Sequence, residues 1–345
     1  MFDNAFGLIV GIQSYRHITP LGKSLNDAED VYQVLTDPRA CGYAKDNVRL
    51  LRDTQADRAG ILAGLDWLAA TAKADSTVFV FMACHGGRIP NGELAGEYIL
   101  PIETDASSAS QFAATTISGA LFTEKLRQIH SKKLLVILDC CHSGGIGQAR
   151  DACAFRFTRG LSDDFHKQLA TGEGRVIFCA AKAQEFAYEL PNDRNGLFTK
   201  HLLGGLRGGA AADSVIRVFD LYSYVETRVM KEQPEQHPLM KSESQNFPVA
   251  LSPDSRNPVL PNRPNPTADP TASPTDPEDV FLGLINRLLP AQFDELLFRL
   301  KMPREIRPAP TLTHGERAMV VLEWALTEKG AGEFEKQLRR FFPKG

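Results

Sequence analysis

Short, unbroken runs of large apolar residues recur through the first half of the chain, separated by stretches whose apolar residues fall at helical spacing. The runs are Phe6–Gly11, Val48–Leu51, Thr77–Met82, Lys133–Leu138 and Val176–Cys179; the clearest helical stretches are Leu25–Leu35, Ile61–Leu68 and Leu121–Ile129. A strand without polar alternation needs cover on both faces, and strands joined through helices pair in parallel. The chain is therefore expected to be α/β, with a mostly parallel six-stranded sheet between helices in a three-layer sandwich. Phe247–Leu251 is read as the sixth strand, at an edge. In such sheets chemistry collects in the loops that follow the carboxyl ends of strands.

Two of those ends are loaded with reactive side chains. One run ends in Cys84-His85-Gly86-Gly87, the other in Asp139-Cys140-Cys141-His142-Ser143-Gly144-Gly145. If the two strands are neighbours, His85 and Cys141 project from adjacent loops. Acyl transfer through a thiol needs these parts: Cys141 to attack the carbonyl, His85 to move the proton, and the N–H groups of Gly86 and Cys141 for the oxyanion. A lone Cys or His-Gly at a strand end is more often a small buried thiol or a turn. Both ends together are far more specific. Zinc is the rival use of Cys84, His85, Cys140, Cys141 and His142, but no Cys-x-x-Cys occurs and the spacing is not that of a zinc knuckle, so no metal site is expected.

Composition bounds the setting. A net charge of −3 gives no pull toward nucleic acid or an anionic membrane, and neither partner is expected. No apolar run approaches the roughly 20 residues that span a bilayer. Asp3 stands where a signal peptide would carry basic residues, so a cytoplasmic location is expected. The 6 cysteines include the adjacent Cys140 and Cys141, a poor disulfide pair, and cytosolic thiols are expected to stay reduced.

The length of 345 residues fits a catalytic domain with a smaller module. Residues 1–251 are read as the catalytic domain and 252–277, rich in Pro, Asn, Ser, Thr and Asp, as a flexible linker. Residues 278–345 are read as an all-α helical bundle, with apolar residues at helical spacing from Val280 to Phe341 and Thr313 as an N-cap ahead of Glu316.

Phe81-x-x-x-His85-Gly86 together with Asp139-Cys140-Cys141-His142-Ser143-Gly144 resembles the metacaspases and bacterial caspase-like peptidases. The resemblance covers about residues 5–251 and takes in Gly11-Ile12, Leu25-Asn26-Asp27, Gly196-Leu197-Phe198-Thr199 and Gly204-Gly205-Leu206-Arg207-Gly208. The Gln before Ala-Cys of animal caspases is absent, which favours the metacaspase branch. The resemblance implies a caspase–haemoglobinase fold and a Cys141–His85 dyad; Cys84 departs from it, standing where the family usually has Gly. Asp27 and Asp139 match acids that line the first specificity pocket, which implies cleavage of proteins after Arg or Lys rather than Asp. For Asp27 the alternative is an acid favoured at a helix start. Arg150, Arg156 and Arg159 follow the nucleophile and become candidate self-cleavage sites, with an uncleaved surface loop as the alternative. Calcium activates many metacaspases and is the single candidate cofactor. However, Glu103, Asp105, Asp163 and Asp164 are scattered and read as solvated acids.

The C-terminal segment carries a weaker resemblance. Leu288-Leu289-Pro290, Phe293–Leu297 and the helix with Arg317-Ala318 resemble bacterial death-like, effector-associated domains. That implies recruitment by a sensor or adaptor protein through residues 278–345, in bacterial defence or signalling. A tail packed on the peptidase is the alternative for this segment. For the whole chain the alternative is a catalytically silent caspase-like scaffold acting by protein–protein binding.

Overall fold

The apolar runs form strands, and their alternation around one sheet explains the layers. Strand β1 (Ala5–Gly11) leads through helix α1 (Ser24–Thr36) to β2 (Val48–Arg52), then through α2 (Arg58–Thr71) to β3 (Thr77–Ala83). An excursion follows, with β4 (His85–Ile89), β5 (Gly96–Leu100), α3 (Ala109–Thr115), β6 (Ile117–Ser118) and α4 (Gly119–Arg127). The chain returns to the sheet at β7 (Leu134–Asp139) and, after β8 (Thr158–Arg159) and α5 (Asp163–Ala170), at β9 (Arg175–Cys179). Helix α6 (Leu197–Gly204), β10 (Ala211–Ala212), β11 (Val215–Arg217), α7 (Val218–Glu232), β12 (Leu239–Ser242) and β13 (Pro248–Leu251) follow.

This computed structural model describes residues 2–89, 91–140, 158–182, 185–212, 214–252, 281, 285, 290–303, 306–307, 314–328, 331–338 and 340. The chain divides into two units, Met1–Pro258 and Val259–Gly345.

In the first unit a 6-stranded sheet runs in the order β12-β9-β7-β3-β1-β2. Its neighbours are parallel except β12, which pairs antiparallel with β9. Because side chains alternate across a strand, each central strand feeds two cores. Ile9, Phe79, Phe81, Leu135, Ile137 and Phe178 pack with Val31, Leu202 and Val225 from α1, α6 and α7. Leu8, Val10, Val80, Met82, Val136 and Leu138 pack with Leu65, Phe122 and Phe165 from α2, α4 and α5. Burial on both faces is why these runs are apolar without interruption.

The sixth strand is not Phe247–Leu251. Leu239–Ser242 takes that edge, its four positions all half-buried. A half-buried edge strand needs no apolar run, so hydrophobicity did not mark it. Pro248–Leu251 pairs instead with β11 in a small antiparallel sheet, where Pro248 at the strand start forfeits no essential N–H. The segment from His85, read as a loop, opens β4 of a 4-stranded antiparallel sheet in the order β6-β5-β4-β8.

In the second unit, helices α8 (Pro290–Arg299), α9 (His314–Glu328) and α10 (Ala331–Leu338) are described. Phe281, Ile285, Phe293, Leu296, Val321 and Phe334 share one apolar cluster, and the rings of Phe281 and Phe334 meet edge to face at 5.4 Å. The linker expected over 252–277 lies outside the described residues beyond Ser252, as does the expected cap Thr313.

Candidate active site

Gly11, Ala83 and Asp139 stand abreast at one edge of the sheet, through the registers of β1 with β3 and β3 with β7. The loop after β1, the Cys84-His85 step after β3 and Asp139-Cys140 at the end of β7 therefore open side by side. Helix α1 closes against this edge so tightly that a Cβ at Gly11 would lie 2.5 Å from Ala28 Cβ and 2.8 Å from the Ser24 carbonyl oxygen. The Ser24 hydroxyl donates to the Ile12 carbonyl at 2.7 Å.

His85 is fully buried. Its backbone N–H donates to the Tyr15 hydroxyl at 2.7 Å, and that hydroxyl donates in turn to the Leu100 carbonyl at 3.0 Å. Burial, the largest cause, holds the Tyr15 phenol well above its ordinary pKa, so it stays a neutral donor. The two rings lie 4.8 Å apart. His85 Nε2 is 2.9 Å from the carbonyl oxygen of Thr19. A carbonyl only accepts, so Nε2 carries a proton, and in the neutral form of the ring the lone pair is on Nδ1. The loop that supplies Tyr15 and Thr19 is anchored by Asp53, which accepts from the N–H groups of Gln13 and Ser14 at 2.8 and 3.0 Å.

Gly86 follows in β4. Its carbonyl accepts from the Gly160 N–H at 2.9 Å, and a Cβ there would meet Leu161 Cγ at 2.8 Å. A larger residue here would have to push the Leu161 side chain aside. Arg159 lies in β8, paired opposite Gly87; Cys141, Arg150 and Arg156 lie outside the described residues.

Asp27 and Asp139 are brought together. Both are buried, at 3% and 6% exposure, and both line a pocket with Leu21, Ala83, Glu189 and Gly196. A Cβ at Gly196 would lie 3.3 Å from Asp27 Oδ2 and 3.8 Å from Asp139 Oδ2, so the two carboxylates converge on that backbone. Gly196 N–H donates to Asp27 at 3.0 Å and the Thr199 hydroxyl to Asp139 at 2.7 Å. Burial first, then the charge of Asp139, pushes the Asp27 pKa up to about 8. The pocket wall is stapled to α1: Lys23 Nζ donates to the carbonyls of Leu190 and Asp193, and Asn26 donates to the Arg194 carbonyl.

The scattered acids have local partners. Glu103 accepts from the Arg58 N–H at 2.8 Å, Asp105 accepts from Ser107 at 2.8 Å, and Asp163 and Asp164 occupy the first turn of α5. Among the described residues no group of three His, Cys, Asp or Glu side chains is placed to hold a metal ion. No helix among them is long and apolar enough to cross a membrane.

Residues 5–249 match the caspase domain of peptidase family C14. The chain belongs to the caspase family. This caspase-family chain is 25% identical to metacaspase-1 of Saccharomyces cerevisiae over 156 residues, which are 40% of this chain and 33% of that protein. It is 24% identical to metacaspase-1A of Aspergillus oryzae over 216 residues, 57% of this chain and 47% of that one. The chain thus spans a third to a half of the length of these curated relatives. Among solved structures, a Geobacter sulfurreducens protein aligns with a TM-score of 0.49 at 17% identity, over 72% of this chain and 97% of that one. Caspase-1 of Spodoptera frugiperda aligns with a TM-score of 0.42 at 13% identity, over 72% and 91%.

Several residues of this caspase-family site escaped the sequence reading. Tyr15 and Thr19 sit in a loop without periodicity, and one of them acts through its backbone, which no side-chain pattern can signal. Thr199 belongs to the Gly196–Thr199 run, where the sequence assigns it no role, and no motif marks Glu189.

Proposed function

We propose that this caspase-family chain is a cysteine endopeptidase that cleaves proteins after Arg or Lys, with Cys141 as nucleophile and His85 as its proton-transfer partner. The observation that carries the reading is the pairing of β3 with β7, which sets Cys84-His85 beside Asp139-Cys140, directly before Cys141 in the chain. His85 Nδ1, left basic by the Thr19 carbonyl, takes the thiol proton as the Cys141 sulfur attacks the scissile carbonyl. The same nitrogen then protonates the leaving amine, and water hydrolyses the acyl-enzyme. The N–H groups of Gly86 and Cys141 donate to the oxyanion.

Asp27 and Asp139 form the first specificity pocket. Burial and the charge of Asp139 favour the protonated form of Asp27, and an entering Arg or Lys reverses that by favouring both carboxylates in their charged form. An Asp side chain would bring a further negative charge against that of Asp139, the same repulsion that already raises the Asp27 pKa. Self-cleavage in the segment holding Arg150, Arg156 and Arg159 fits the same specificity. At Arg159 it requires the short β8 strand to leave β4 first. Residues 278–345 serve as the recruitment module toward a sensor or adaptor protein, in bacterial defence or signalling, and calcium is a candidate activator.

The test is hydrolysis of matched fluorogenic peptides ending in Arg, Lys or Asp, by wild type and Cys141→Ala, with and without calcium. Turnover of the Arg and Lys peptides alone, lost in the variant, is expected. Equal turnover of the Asp peptide contradicts the pocket assignment, and turnover by Cys141→Ala contradicts the nucleophile.

A further inference from the structure

Cys84 and Cys140 sit at the open ends of neighbouring strands, one residue past the paired Ala83 and Asp139, with their Sγ atoms 3.6 Å apart. Cys84 is fully buried and Cys140 half-buried. Both are free thiols, and the Cys140 thiol also points at the Met82 carbonyl, 3.8 Å away. Neither has a part in the peptidase mechanism. Each is nevertheless the immediate chain neighbour of a residue that does: Cys84 precedes His85, and Cys140 precedes Cys141.

We propose that Cys84 and Cys140 form a reversible disulfide that ties the two strand-end loops together and switches the site off. The effect on activity rests on the peptidase reading; the disulfide itself does not. An S–S bond is about 2.05 Å long, so closing it from 3.6 Å moves the two sulfurs more than 1 Å toward each other, and the switch requires that this movement reach the chain neighbours His85 and Cys141. Displacements of that size cost reacting groups about 10²-fold in rate.

The oxidant is hydrogen peroxide. The Cys140 thiolate, the better exposed of the two, attacks one peroxide oxygen; the S–O bond forms, the O–O bond breaks, and hydroxide leaves to be protonated to water. The Cys84 thiolate then attacks the Cys140 sulfur; the S–S bond forms and the sulfenic oxygen leaves as a second water. Both thiol protons end in the waters, and the peroxide takes up the two electrons. The hydrogen bond to Cys84 and burial push the Cys140 pKa up, so the first step speeds up as pH rises.

The decisive experiment uses the full chain carrying Cys141→Ala, so that the nucleophile cannot be the oxidised thiol. After hydrogen peroxide treatment, intact mass should fall by two hydrogens, and peptide mapping should join Cys84 to Cys140, reversibly with dithiothreitol and not in the added Cys84→Ala variant. Intact, alkylatable thiols at both positions overturn the proposal. For the switch, wild type and Cys84→Ala are oxidised with the nucleophile shielded by an Arg peptide aldehyde, then desalted. Wild type should lose activity at least about tenfold and recover with dithiothreitol, while Cys84→Ala, or Cys140→Ala if the first fails to fold, keeps it. Full activity in the disulfide-linked wild type overturns the switch. A chain inactive before oxidation fails the peptidase reading instead, and the mapping still decides the disulfide.

Discussion

The imidazole Nε2 of His85 lies 2.9 Å from the backbone carbonyl oxygen of Thr19. The orienting group is thus main chain, and it survives side-chain replacement. Thr19→Ala should keep kcat/KM within a few-fold, whereas His85→Ala should lower kcat by about 10²–10⁴, the range for losing a general acid–base. Comparable losses in both variants would contradict the assignment of the carbonyl as the orienting partner.

Tyr15 links the backbone of His85 to that of Leu100. Tyr15→Phe leaves a buried N–H and a buried carbonyl without that hydroxyl, a loss of about 1–3 kcal/mol per buried group. Urea denaturation should show destabilisation of that order, with kcat reduced at least tenfold because the backbone that carries His85 is no longer held in place. Unchanged stability would mean the hydroxyl carries no weight.

The acidic pocket predicts a split between binding and catalysis. Asp27→Asn and Asp139→Asn should each raise KM for Arg peptides strongly, losing about 2–4 kcal/mol of charge-assisted binding, with a smaller effect on kcat. Gly196→Ala tests the same place sterically, because its Cβ would enter 3.3 Å from Asp27 Oδ2. It should raise KM with little change in melting temperature.

Asp27 also predicts a pH signature in stability. Its carboxyl is raised from 3.8 to about 8 in the folded chain. Between those values the native state holds a proton that the unfolded chain has lost, so stability falls as pH rises. The slope is at most about 1.4 kcal/mol per pH unit. The contribution is complete below about pH 4 and gone above about pH 8. Asp27→Asn cannot ionise, so its stability should gain on wild type steadily between pH 5 and 8. Parallel denaturation midpoints across that range would contradict the buried, protonated acid.

The sheet was legible because β1, β3, β7 and β9 are buried on both faces and therefore read as apolar runs. The edge strand Leu239–Ser242 was not, because a half-buried edge demands no such run. His85 and Asp139 were legible from the strands they follow or end. The convergence of Asp27 with Asp139 came only through the resemblance, since the long stretch of chain between them carries no local sign of it. Tyr15 and the Thr19 carbonyl were beyond reach for a different reason: their roles are defined by where a loop crosses another, and a backbone acceptor has no residue type.

The central claim is that Cys141 is the nucleophile of an Arg-directed peptidase, and covalent labelling tests it most directly. The full chain is treated with a peptidyl-arginine chloromethyl ketone and the labelled cysteine located by peptide mapping. One label per chain on Cys141, abolished by His85→Ala and blocked by excess Arg peptide, is the predicted result. A label on Cys84 or Cys140, or labelling of Cys141 that is as fast with the corresponding Asp reagent, would contradict it.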